Sequence, residues 1–218
     1  SDVCSSDLEF ARTTLEVWYD DGTVQSVSGT IAADTTWSAA NGPYQVTANL
    51  TVASGATLTI TPGTTIYLAS GVNLAVASGG RLLAEGTDTA GIRFTRVPGG
   101  ANWGGVTING AAGTPETRMA YVHFENNGST AVHVAGGDLF LSRATFGNTA
   151  VQYLSLDGAS FVVEDCIFPA TTASFEPTHG TAGIKAGGRG IVRRCFWGRV
   201  SGYNDALDRK STRLNSSH

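Results

Sequence analysis

The chain has 218 residues, 28 of them glycine, with 15% charged and 41% hydrophobic residues and a formal net charge of −4. Average soluble domains hold roughly 7% glycine and about 25% charge, so this one is glycine-rich and charge-poor. Its apolar runs are a few residues long, which excludes a bilayer-spanning segment. A mildly acidic chain without a Lys/Arg cluster also offers little to a nucleic-acid phosphate backbone.

Taken in chain order, the two ends set themselves apart. Asp208–His218 reads as the translation of a common sequencing-library adapter, and Ser1–Leu8 reads as the translation of that oligonucleotide's reverse complement. Residues 1–8 and 208–218 are therefore expected to be adapter-derived tails outside the fold. The remainder, 9–207, keeps the net charge of −4 and two cysteines, Cys166 and Cys195, and its length suits one domain. Within 9–29 the run LEVWYDDGTVQSVSG alternates on both sides of Asp21-Gly22, which predicts a β-hairpin or the end of a preceding domain. From 30 to 207, short runs such as LTV, LTI, TIYL and NLAV are punctuated by SGA, TPG, ASG and SGG. No helix-period apolar stripe extends over about ten residues, so the chain is predicted to be almost all β.

An internal repeat then narrows the architecture. Aligned on their last aromatic residue, RMAYVHF, FLSRATF, FVVEDCIF and IVRRCFW give three apolar columns. The first holds Phe124, Phe146, Phe168 and Trp197; the second Val122, Ala144, Cys166 and Cys195; the third Met119, Leu141, Val163 and Val192. Successive aromatics are 22, 22 and 29 residues apart, and Ile92 with Phe94 fits two columns 30 residues before Phe124. Val132, Leu154 and Ile184 form a further column. The spacing predicts a solenoid of about six to eight coils, each of about 22 residues, stacked as parallel strands about 4.8 Å apart, with inserted loops where the spacing grows. Frequent bends explain the glycine content, because glycine accepts positive φ. Asn126 and Asn148, each two residues after a column phenylalanine, fall on one corner, where stacked carboxamides can hydrogen-bond up the ladder.

The repeat, the asparagine positions and the upstream run GTIAADTTWSAANGPYQVTANLTVASGATLTITPGTTIYL resemble the right-handed parallel β-helix domains of the pectin-lyase-like superfamily. They resemble in particular the versions carried as modules by large secreted bacterial proteins. That resemblance implies an all-β right-handed parallel β-helix over 30–207 and a secreted or cell-surface location. It also implies other domains of the same parent chain, or a polysaccharide or cell-surface glycan, as partners. It does not imply one chemistry, since the superfamily mixes lyases, hydrolases, adhesins and spacers.

One dense charge constellation exists, three and four residues before the column aromatics: Ser142 and Arg143, Glu164 and Asp165, Arg193 and Arg194. Opposite signs on paired strands read first as an inter-coil charge ladder. The resemblance adds a second reading, in which Arg143 or Arg194 serves as a lyase base and Glu164 with Asp165 holds calcium against a substrate carboxylate. Calcium wants six to eight oxygen ligands and one coil supplies two carboxylates, so no metal or other cofactor is expected outside that alternative. Asp138 and Glu116 are a weaker glycosidase-type pair. His123 and His133 alternate with apolar residues and are expected to face outward.

The insertion PATTASFEPTHGTAG contributes Phe175, Glu176 and His179 as candidate ligand contacts, since inserted solenoid loops often bind. Trp103, in GGANWGG, either caps a corner or stacks on sugar. Cys166 and Cys195 share an inward column at a separation compatible with a disulfide, yet parallel side chains favour two free thiols, and both states remain open. The reading that follows is a non-catalytic extracellular spacer or adhesion and carbohydrate-binding module. Its alternative is a polysaccharide lyase or glycoside hydrolase acting on an acidic polysaccharide.

Overall fold

The computed structural model describes residues 22–149, 152–169, 184–186, 188–198 and 207–209. These form strands joined by turns, with a single 3₁₀ turn at Ala39–Asn41. The pairing is parallel from strand to strand, and the chain visits three faces in rotation. Face one consists of β2 (Thr35–Trp37), β4 (Thr57–Ile60), β7 (Arg81–Glu85), β10 (Thr117–Ala120), β13 (Asp138–Ser142), β16 (Ser160–Glu164) and β19 (Arg189–Arg193). Face two begins with the first half of β3 (Tyr44–Val52) and continues through β5 (Thr65–Leu68), β8 (Ile92–Arg96), β11 (Val122–Glu125), β14 (Thr145–Gly147), β17 (Ile167–Phe168) and β20 (Phe196–Trp197). Face three takes the second half of β3, then β6 (Leu74–Val76), β9 (Val106–Asn109), β12 (Thr130–Ala135), β15 (Gln152–Asp157), β18 (Ile184–Ala186) and β21 (Leu207–Arg209). Seven coils of a right-handed parallel β-helix result, within the expected range.

The local sequence explains each strand. In β4, Thr-Leu-Thr-Ile alternates, and Leu58 and Ile60 are buried while the threonines lie half-exposed, the period-2 signature of a strand with one wet face. The sequence columns are the core columns. Met119 pairs with Leu141, Leu141 with Val163 and Val163 with Val192. On face three, Val132 pairs with Leu154 and Leu154 with Ile184. The aromatic column forms a continuous stack: Phe94, Phe124, Phe146, Phe168 and Trp197 follow one another at ring separations of 5.3, 5.5, 5.2 and 4.2 Å, all within 19° of parallel. Ile66 and Tyr44 continue the column toward the first coil.

The corners differ from the expectation that glycine supplies the positive φ. Glycines do so in several turns, such as Gly63 and Gly79. Two corners are made by other residues. Between faces one and two stand Tyr121, Arg143, Asp165 and Arg194, with φ of 49, 53, 55 and 54°; between faces two and three stand Asn126 and Asn148, at 58 and 54°. Along each of these corners stacking hands the same bend from one coil to the next, so the register fixes the conformation even where the residue does not favour it. The first three corner residues each donate a backbone N–H to the next coil, at Ser142, Glu164 and Arg193. The carboxamide ladder is also present, with Asn148 Nδ2 donating to Asn126 Oδ1 at 3.3 Å and Asn126 Nδ2 to Thr95 Oγ1 at 3.2 Å.

The expected boundaries at 29/30 and 207/208 each fall within a strand. β1 (Gln25–Ile31) runs parallel along β3, from Gln25 opposite Tyr44 to Ile31 opposite Val52. The division placed between 29 and 30 therefore falls inside a strand of the solenoid; the first arm of the expected hairpin, before Asp21-Gly22, lies outside the described residues. At the other end β21 crosses the expected boundary, because Asp208 and Arg209 continue the ladder on Lys185 and Ala186.

Candidate functional site

The charge constellation lies along the corner between faces one and two. On an uninterrupted strand Glu164 and Asp165 would point to opposite sides. The left-handed backbone at Asp165 breaks that alternation, and both carboxylates reach the same arginine of the next coil. Arg194 donates from Nε to Asp165 Oδ1 at 2.6 Å and from Nη2 to Asp165 Oδ2 at 2.9 Å, a two-pronged pair. Its Nη2 also donates to Glu164 Oε2 at 3.1 Å, and Arg193 Nε donates to the same oxygen at 2.7 Å. The hydrogen bonds and charge of Arg194, aided by the charges of Arg143 and Arg193, hold the Asp165 carboxyl below the usual carboxylate range. In return the Asp165 hydrogen bond raises the Arg194 guanidinium well above its ordinary value.

Arg143, one coil earlier, takes a different partner. Its Nη1 donates to the Tyr121 hydroxyl at 2.6 Å, and its guanidinium lies 5.0 Å from the centre of the Tyr121 ring. The row therefore alternates aromatic, cation, anion and cation on successive coils, which is the charge-ladder arrangement. A base needs an uncharged or readily deprotonated nitrogen, and an arginine with a raised pKa moves away from that state. A calcium ion here would have to displace arginine from both carboxylates. Among the described residues no three His, Cys, Asp or Glu side chains gather closely enough to hold a metal.

The other sequence candidates disperse. Trp103 is fully buried and donates from Nε1 to the Glu125 carbonyl at 2.7 Å; it closes a corner and has no open face for a sugar. The glycines after it make room: a Cβ at Gly105 would run into the Thr130 carbonyl oxygen, and one at Gly104 into the Asn73 side chain. The residues that follow Glu116 and Asp138, Thr117 and Leu139, are paired, so those two acids do occupy equivalent places on adjacent coils. The Glu116 carboxylate accepts from Arg118 Nη1 at 2.7 Å. His123 shares a 2.7 Å hydrogen bond with the Thr145 hydroxyl above it. Phe175, Glu176 and His179 lie outside the described residues. Cys166 and Cys195 are free thiols, Cys166 buried and Cys195 partly so.

Sequence reasoning missed two ion-pair clusters. Arg93 places Nε and Nη2 on Glu125 Oε2 at 3.0 and 2.8 Å. Arg118 bridges Glu85 and Glu116 and covers the Phe140 ring at 4.2 Å. Insertions put Arg93 and Glu125 32 residues apart and Glu85 and Arg118 33 apart, so the 22-residue period does not align them; Glu116 lies two residues from Arg118 on the same coil.

A family model described as a pectate-lyase-like beta helix domain matches residues 29–139. No curated protein and no solved structure matches the chain.

Proposed function

Because the chain belongs to the pectate-lyase-like β-helix domain family, we propose that it is a non-catalytic module of a secreted or surface-attached protein. In this reading it is a rigid spacer that presents its sides to glycans. The observation that carries the reading is the engagement of the corner row. Arg194, Asp165, Glu164 and Arg193 are tied to one another across two successive coils at the corner between faces one and two, and Arg143 is seated on Tyr121. Groups that the family fold offers for chemistry here act as mortar between coils. A continuous apolar core with hydrogen bonds running along its length suits a rod whose stiffness comes from nearest-neighbour stacking.

The test is a lyase and hydrolase assay on the whole chain with polygalacturonate, alginate and neutral glycans, with and without calcium, alongside a glycan array. The expected result is no unsaturated product and no new reducing ends, with any array signal unchanged by calcium. Turnover that disappears in Arg143→Ala or Arg194→Ala would overturn the reading in favour of a polysaccharide lyase acting on an acidic polymer.

A further inference from the structure

The two thiols of the inward column are related by one coil step. Leu141 pairs with Val163, Glu164 with Arg193 and Ile167 with Phe196, so the register is unbroken on both sides of Cys166 and Cys195. Their sulfurs make equivalent contacts. Cys166 Sγ lies 3.3 Å from the Glu164 carbonyl oxygen and 4.0 Å from that of Leu141; Cys195 Sγ lies 3.4 Å from that of Arg193 and 3.9 Å from that of Val163. Equivalent contacts mean the same rotamer, so the two sulfurs are offset by the strand spacing of about 4.8 Å.

That offset decides between the chemistries open to two cysteines. A disulfide needs the sulfurs about 2.05 Å apart, and both side chains would have to leave their shared rotamer. A metal–thiolate bond is about 2.3 Å long, so an ion midway between two sulfurs about 4.8 Å apart meets both at nearly that length. Zinc and iron–sulfur clusters require four protein ligands or nearly so, and among the described residues no third His, Cys, Asp or Glu joins the pair. Copper(I) is soft, selects thiolates and accepts two sulfurs in line.

We propose that Cys166 and Cys195 form a two-thiolate site for copper(I), clamping the last two coils of face two. Burial pushes the Cys166 thiol up to about 12, so this ligand enters as the thiol. Loading is then Cu⁺ plus two thiols giving a bis-thiolate copper(I) anion and two protons released to solvent, with no change of oxidation state. The partly exposed Cys195 is the entry side, and the stacked rings of Phe168 and Trp197 flank the column.

The test uses the whole chain carrying Cys4→Ser, which removes the remaining cysteine. It is reduced, kept anaerobic and given copper(I) as its acetonitrile complex against a chromophoric chelator. One copper per chain is expected, with two sulfur neighbours at about 2.3 Å by X-ray absorption. Cys166→Ala and Cys195→Ala, each added to that background, should weaken retention about tenfold or more with an unchanged circular-dichroism spectrum, since Ala144 already occupies this column. Cys195→Ser repeats the test with a polar replacement. No retained copper, or equal retention in the single variants, would overturn the proposal. Rapid conversion by oxidised glutathione to an intramolecular disulfide, seen as loss of two hydrogens, would overturn it too.

Discussion

Phe94 and Phe124 stand 30 residues apart in the chain, yet their rings stack 5.3 Å apart and within 19° of parallel. The intervening insertion is looped out and the column continues as if it were absent. Stability in such a stack is local to each coil and its two neighbours, so a mid-column truncation harms both interfaces. Phe124→Ala should lower the unfolding free energy by about 3–5 kcal/mol, and Phe124→Leu by about 1.5 kcal/mol or less. Urea unfolding followed by circular dichroism checks this; an alanine variant as stable as the parent would show that the rings do not carry the core.

Gly105 tests the close approach beneath Trp103. A methyl group there meets the Thr130 carbonyl oxygen, and the backbone of face three would have to part. Gly105→Ala should destabilise by more than the few tenths of a kcal/mol typical of surface changes, on the order of 2 kcal/mol. Ala111→Gly, in an exposed turn, serves as the control. Equal melting temperatures for the two variants would contradict the approach described.

Asp165 gives a pH signature. Its carboxyl is held below the ordinary value of 3.8 by Arg194, so its contribution to stability is complete above that value and is lost as pH falls through the lower folded value. The melting-temperature difference between the parent chain and Asp165→Asn should therefore be constant from neutral pH to about 5 and shrink below the ordinary carboxylate value. A difference that instead fades between pH 7 and 5 would point to another group.

Asn148 occupies a left-handed corner at φ 54°. Asparagine tolerates that region better than alanine does, and glycine tolerates it freely. Asn148→Ala should cost about 1 kcal/mol, and Asn148→Gly less, since glycine loses only the 3.3 Å carboxamide bond. The order of the two melting temperatures is the measurement, and a reversed order would falsify the strain argument.

How much of this was legible in the residues depended on whether a column kept its chemistry. Phe124, Phe146 and Phe168 repeat one residue type at one interval, and the register, core and parallel pairing followed from them. Tyr44 and Ile66 sit in the same column, but the residue type changes there and a longer turn precedes Phe94, so the pattern fades. The Glu164–Arg193 and Asp165–Arg194 pairs were readable because both partners keep their offset from an aromatic. Arg93 and Glu125 were not, because an insertion intervenes. The left-handed corner was hidden for a different reason: tyrosine and arginine do not advertise positive φ, one aspartate among them does not mark a column, and the stacking of neighbouring coils demands the bend. Trp103 was ambiguous because a tryptophan among glycines fits a buried corner and an open sugar platform equally well until the depth of the turn is known.

The left-handed corner between faces one and two has one more consequence. The amides of Tyr121, Arg143 and Asp165 are each spent on a carbonyl of the following coil, so the bend does not interrupt the ladder of hydrogen bonds. In deuterated solvent these three N–H groups should exchange as slowly as those of the strands beside them, although turns ordinarily exchange fast. The edge of the prism is then a seam as tight as its faces, and water enters the stack from its ends before it enters along that seam.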